Sequence, residues 1–158
     1  DRPRFTDKLP DNWTRIDAIR RMLPGAAVID CRRDPLETCW SCYKQLFAPG
    51  RADYTYDFAE LATYFNDYVR FTDHSAKRYP EHVRTQQYEL LVADARTQIT
   101  ALLAFCGLPF DAACIDFHRA GRAIRTPSAA QVRRPLSAAT ARSTQYGELL
   151  DELRAFLS

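Results

Sequence analysis

Lysine is scarce in this chain. Lys8, Lys44 and Lys77 are the three lysines among 22 basic residues, and the other 19 are arginine. The surplus of basic over acidic residues is small, giving a formal net charge of +2, so bulk electrostatics give no argument for nucleic acid or a membrane surface. No run approaches the roughly 20 apolar residues of a membrane span. Repeats, low-complexity tracts and an internal linker are absent. His74, His82 and His118 are isolated, so no triad is in prospect, and His118 is expected at a helix end bonding nearby carbonyls. The five cysteines are odd in number and irregular in spacing, and no signal-peptide pattern opens the sequence. Free thiols in a reducing, cytoplasmic compartment are the expectation. The first residues, Asp1-Arg2-Pro3-Arg4-Phe5, carry no initiator methionine and read as the middle of a domain, so the chain is expected to belong to a longer polypeptide.

What is present suits one globular domain with a sizeable core: 158 residues, 46% of them hydrophobic. Residues 5–7 are expected as a short strand tip. Asp11 or Asn12 caps a helix through Met22, with Ile16, Ile19, Met22 and Leu23 on one face. Pro24-Gly25 ends it. An apolar strand over 26–31 stops at Arg32 and Arg33, and Asp34-Pro35 opens a helix to Phe47, with proline at a position where its missing N–H costs nothing. The recurrence of Phe58, Leu61, Ala62, Phe65, Tyr68, Val69 and Thr72 predicts one long helix over 57–79, capped by Asp57. A second strand is expected over 85–92, with Tyr88 inside it. A helix from Asp94 to Phe105 closes at Gly107, a short helix follows over 109–117, then a loop over 119–143, and an amphipathic helix from Tyr146 to Leu157. Strands alternating with helices predict an α/β domain with a parallel sheet, and two strands are too few to complete one.

The most informative element is the strand end at Arg33 and the helix bearing Ser41, eight residues on. An arginine at the carboxyl end of a strand, with a hydroxyl on the second turn of the following helix, can grip one phosphate in the crevice where α/β sheets bind ligands. Local pattern leaves a second reading open, in which Arg33 pairs with Asp34 or Glu37 and Ser41 sits on a solvated face. Cys39-Trp40-Ser41-Cys42 is a C-x-x-C that could serve redox or zinc chemistry. A second close pair is lacking, and Cys39 falls a turn inside the predicted helix, where the helix end does less for a thiolate. Packing of small apolar thiols is the favoured account.

Several motifs in order carry a family resemblance: Asp7-Lys8-Leu9-Pro10, Arg32-Arg33-Asp34-Pro35 with Ser41, Gln87-Tyr88-Glu89-Leu90-Leu91, Leu103 to Leu108, and Thr126 to Pro135. Over nearly the whole chain the sequence resembles sulfotransferases that use 3′-phosphoadenosine 5′-phosphosulfate (PAPS). Within them it is most similar to the bacterial branch often fused to tetratricopeptide repeats and related to tyrosylprotein sulfotransferases. The resemblance implies a P-loop-kinase-like three-layer α/β domain with a parallel sheet, of which residues 1–158 form the C-terminal part.

By that resemblance Arg33 and Ser41 hold the 3′-phosphate, Tyr88 contacts the adenosine, and Lys8 stands beside the 5′-phosphosulfate as the catalytic cation. Ser128, Gln131, Arg133, Arg134 and Arg142 lie on a segment that closes over the nucleotide. Glu89 is structural, holding the neighbouring loop. The family's Arg-Ser-Gly-Thr-Thr type loop for the 5′-phosphosulfate is absent from the 158 residues, and with it the N-terminal strands and the base expected upstream of Asp1. The implied ligands are PAPS or 3′,5′-ADP and a hydroxyl acceptor (peptide tyrosine, sugar, lipid or phenol), with no metal. The implied reaction moves a sulfuryl group from PAPS to that hydroxyl, and the 158 residues alone are expected not to turn over. A non-catalytic nucleotide-binding or interaction module of the same fold is the alternative.

Overall fold

The computed structural model describes residues 4–119, 133, 135–137 and 142–158. The sheet among them has two parallel strands, β1 (Val28–Arg32) and β2 (Val83–Gln87), in register from Val28 against Val83 to Arg32 against Gln87. The described residues also form six α-helices: α1 (Ile16–Met22), α2 (Pro35–Tyr43), α3 (Phe58–Arg78), α4 (Tyr88–Ala93), α5 (Ala95–Phe105) and α6 (Asp151–Leu157). The two-strand parallel sheet with its connecting helices agrees with the expected α/β class.

Side-chain alternation along the strands assigns the two faces of the sheet. Asp30 and Thr85 lie on one face, where Asp30 accepts from Tyr68 of α3 and, at 3.4 Å, from Thr85. Gln86 lies on the other, where its amide donates to Gln98 of α5 at 3.0 Å. The sheet is therefore held between α3 and α5. The apolar core lies to one side, where Cys39 of α2, Leu61, Ala62 and Phe65 of α3, and Leu153 of α6 pack together. No helix among the described residues is long and apolar enough to cross a membrane.

Local chemistry explains where the helices start and stop. Asp34, Asp57 and Asp94 each accept a backbone N–H of the first turn that follows, from Glu37, from Ala59 and Glu60, and from Thr97. α5 ends in a Schellman motif: Gly107 takes φ +63°, its N–H reaches Ala104 O at 2.9 Å, and Leu108 N–H reaches Leu103 O at 2.9 Å.

Several elements differ from the expectations. The second strand lies at 83–87 rather than 85–92, and Tyr88 opens α4 instead of sitting within a strand. The apolar run Tyr88 to Ala93 is helical, while the strand is the polar Val-Arg-Thr-Gln-Gln, whose Thr85 hydroxyl and Gln86 amide nitrogen donate to partners on other elements. Residues 5–7 form no strand. Ahead of them, Arg4 fastens to the carbonyls of Cys106 and Gly107 at the end of α5. The helix expected over 11–22 is a 3-10 helix, Pro10–Arg15, followed by α1, with the junction at the non-helical Arg15. α2 ends at Tyr43, short of Phe47. The short helix expected over 109–117 is replaced by two 3-10 turns, Ala112–Cys114 and Phe117–Arg119. The final helix is delayed to Asp151 because Gly147 takes φ +49° and interrupts the 3-10 helix Ser143–Leu150. Among the described residues, the buried His118 Nδ1 has no hydrogen-bond partner, so the carbonyl contact expected of it is not seen there.

Candidate functional site

A crevice of about 420 Å³ opens at the carboxyl ends of β1 and β2. Phe65 and Val69 of α3 give it an apolar floor, and Arg32, Arg33, Gln87 and Glu89 bring polar groups to its walls. The corner between β1 and α2 is fixed on both sides. Asp34 caps α2 through its carboxylate, and its own N–H donates to Glu89 Oε1 at 2.9 Å. Glu89 thus holds the neighbouring loop, the structural role expected of it.

The two arginines at the strand end have different surroundings, because adjacent strand residues point to opposite sides. Arg32 bonds Asp30 and Thr72 at 2.8 Å each, and pairs with Asp73 at 2.8 Å. Asp30 is buried at 8% exposure and also accepts from Tyr68. Burial, reinforced by that bond to Asp30, pushes the Tyr68 phenol well above its usual range, which keeps it a donor. This network fixes the end of β1.

Arg33 is half-buried. Its guanidinium lies 5.7 Å from the centre of the Tyr88 ring, and one nitrogen bonds Glu37 Oε2 at 3.2 Å. Tyr88 in turn donates from its hydroxyl to Ser137 O at 3.0 Å. Glu37, on the first turn of α2, is 7% exposed and collects further donors. The N–H of Arg142 lies 2.9 Å from both its oxygens, and the N–H of Ser143 lies 2.7 Å from Oε1. Burial raises the Glu37 pKa, but the Ser143 hydroxyl, the Arg142 and Ser143 amides and the Arg33 charge outweigh it, leaving the pKa below the ordinary value.

The candidate residues therefore fall into groups. Arg33 and Tyr88 are in contact. Arg142 is brought to Arg33 through Glu37 by its backbone, with its side chain exposed. Ser41 is exposed one turn beyond Glu37, so Glu37 and Ser41 share a side of α2, although Ser41 does not line the crevice. Lys8 is exposed and makes no hydrogen bond or ion pair with a described residue. Arg133 is exposed. Ser128, Gln131 and Arg134 lie outside the described residues. The Arg33–Glu37 pair and the exposed Ser41 are the features of the second reading that the local pattern leaves open, while Gln87 as a wall of the crevice and the 142–143 amides as further partners of Glu37 were not foreseen. The four-residue spacing from Arg33 to Glu37 was the available signal, but the partners of Glu37 at 142–143 are more than a hundred positions away.

The C-x-x-C cysteines have the environment of packing residues. Cys39 is 1% exposed, and burial, with smaller contributions from Cys42 and Asp34, pushes its thiol up to about 12. Burial raises the Cys42 thiol as well. Thiolate chemistry at this pair is disfavoured.

A model of the Sulfotransferase family matches residues 1–112, the stretch that holds Lys8, Arg33, Ser41 and Tyr88. An uncharacterized protein of Aquifex aeolicus (strain VF5) is 31% identical over 134 residues, covering 84% of this chain and 18% of that protein. The chain thus spans less than a fifth of the length of that relative. No solved structure matches it. With the match extending over more than half its residues, the chain belongs to the sulfotransferase family.

Proposed function

We propose that this chain supplies the 3′-phosphate and adenosine part of a PAPS site in a sulfotransferase. The observation that carries the reading is Arg33, half-buried at the carboxyl end of β1, with the Tyr88 ring against it and an apolar-floored crevice beside it. A 3′-phosphate is dianionic and planar guanidinium suits it bidentately. The ring of Tyr88 offers a flat face to a purine. Ser41, on α2 beyond Arg33, is assigned as a further hydroxyl donor to the phosphate. Ser128, Gln131, Arg133, Arg134 and Arg142 belong to the segment assigned to closing over the nucleotide.

In the proposed reaction the acceptor oxygen attacks the sulfur, the bond from sulfur to the bridging phosphate oxygen breaks, and 3′,5′-ADP leaves. Negative charge grows on that departing oxygen. Lys8 is assigned to stabilise it, as a fixed cation aimed where charge develops. The acceptor's proton goes to a base outside these 158 residues, and the 5′-phosphosulfate loop is likewise absent from them. The isolated chain is accordingly expected to bind nucleotide and not to turn over. The acceptor hydroxyl belongs to a peptide tyrosine, a sugar, a lipid or a phenol, and the parent polypeptide is proposed to carry tetratricopeptide repeats upstream and to work in the cytoplasm.

Calorimetric titration of the intact polypeptide with 3′,5′-ADP and with 5′-AMP tests the assignment. Tighter binding of 3′,5′-ADP, lost in Arg33→Ala, supports it. Equal affinity for the two nucleotides removes the 3′-phosphate from Arg33. Sulfate transfer by the 158 residues alone would contradict the division of the site.

A further inference from the structure

Glu37 poses a problem for an anion site. It is a nearly buried carboxylate bonded to the cation that would receive the anion. A charged group in such a place needs compensation, and an extra negative charge beside a phosphate is unfavourable. The structure supplies compensation from two directions. Arg33 donates from one side, and the amides of Arg142 and Ser143 donate from the other.

We infer that Glu37 is a positioning residue that couples ligand binding at Arg33 to the seating of the chain at Arg142 and Ser143. The inference rests on the nucleotide reading of Arg33 and extends it to the regulation of that site. Ser137 and Arg142, on either side of 138–141, are both attached beside Arg33. Ser137 is held through the Tyr88 hydroxyl, and Arg142 with Ser143 through Glu37. Trp40 of α2 and Tyr146 add an edge contact with centroids 4.6 Å apart, and Lys44 lies 5.0 and 5.3 Å from the two rings, so the chain after Ser143 is packed on α2 as well.

A guanidinium has five N–H donors in a rigid plane. Glu37 accepts from one of them at 3.2 Å and so restrains the guanidinium. Without the carboxylate, Arg33 loses that restraint and two backbone donors lose their acceptor. The reverse also holds. A phosphate drawn to Arg33 favours the oriented guanidinium, and so favours the state in which Glu37 is seated between Arg33 and the 142–143 amides. Linkage makes the coupling reciprocal.

Glu37→Gln keeps the shape and removes the charge. In the intact polypeptide, amide exchange at Arg142 and Ser143 should accelerate by roughly tenfold or more, while exchange in the core at Leu61 and Ala62 stays unchanged. The affinity for 3′,5′-ADP should fall by roughly tenfold, and that for 5′-AMP by less than about twofold. In an Arg33→Ala background, Glu37→Gln should add no further loss for 3′,5′-ADP, because its effect acts through Arg33. In the unaltered protein, 3′,5′-ADP should slow exchange at Arg142 and Ser143 more than 5′-AMP does, a comparison that needs no variant to fold. Unchanged exchange at these two amides in Glu37→Gln overturns the coupling, as do equal losses for both nucleotides or an additive double variant. Failure of the unaltered protein to prefer 3′,5′-ADP would instead overturn the nucleotide reading, and the 142–143 exchange in Glu37→Gln would then judge the anchor by itself.

Discussion

Arg32 and Arg33 adjoin in sequence and face different partners. Arg32 is committed to Asp30, Thr72 and Asp73, which braces the end of β1 against α3. Arg33 turns to Tyr88 and Glu37 at the crevice. The bracing has a measurable consequence. Tyr68→Phe removes a donor from the buried Asp30 carboxylate and should cost about 1–3 kcal/mol of stability, read as a lower urea midpoint. A stability unchanged within a few tenths of a kcal/mol would show that Asp30 does not depend on Tyr68. The thiols give a second test at this scale. With its thiol pushed up to about 12 and its side chain in the core, Cys39 should react with a disulfide reagent at pH 8 more than about tenfold slower in the native protein than in the unfolded one. Rapid native labelling of Cys39 would reopen redox chemistry for this pair.

The helices carry their boundaries in single residues. Gly107 holds φ +63° at the end of α5, a conformation that costs a residue with a Cβ roughly 1–2 kcal/mol. Gly107→Ala should lower stability by about that amount, in denaturant melts, through backbone strain alone, since the added Cβ meets nothing closer than 3.8 Å. An Ala variant as stable as the parent would place the end of α5 elsewhere. The caps at Asp34 and Asp57, the apolar repeat of α3 and most of the first strand, which lies at Val28–Arg32 rather than 26–31, were legible in the sequence because each is a local pattern. β2 was legible only in part. Its residues are polar, and what makes them a strand is Asp30 across the sheet and Gln98 on α5. The apolar residues next to it went into α4 instead. In the site, the spacing of Arg33 and Ser41 predicted a shared neighbourhood, and the structure puts both on the α2 side of the strand end with Arg33 alone reaching the crevice. The Arg33–Glu37 pair was one of the two local readings, but the amides of Arg142 and Ser143 on Glu37 escaped because they are more than a hundred positions away.

Across the whole molecule, Glu37 joins two segments far apart in sequence, the β1–α2 corner and the chain leading into α6. Its pKa is lowered on folding, so its contribution to stability is present in full above the ordinary carboxylate range, near pH 4, and is lost as pH falls through the lower folded value. The difference in urea midpoint between the parent protein and Glu37→Gln should therefore shrink as pH falls below about 4. A difference independent of pH would mean that the carboxylate charge is not what holds the two segments together. The nucleotide reading depends above all on Arg33. The most direct measurement is the ratio of affinities for 3′,5′-ADP and 5′-AMP in the intact polypeptide, with and without Arg33→Ala. The account predicts that the substitution weakens 3′,5′-ADP by about 2–4 kcal/mol and leaves 5′-AMP nearly unchanged. An equal loss for both nucleotides, or no loss for either, would contradict it.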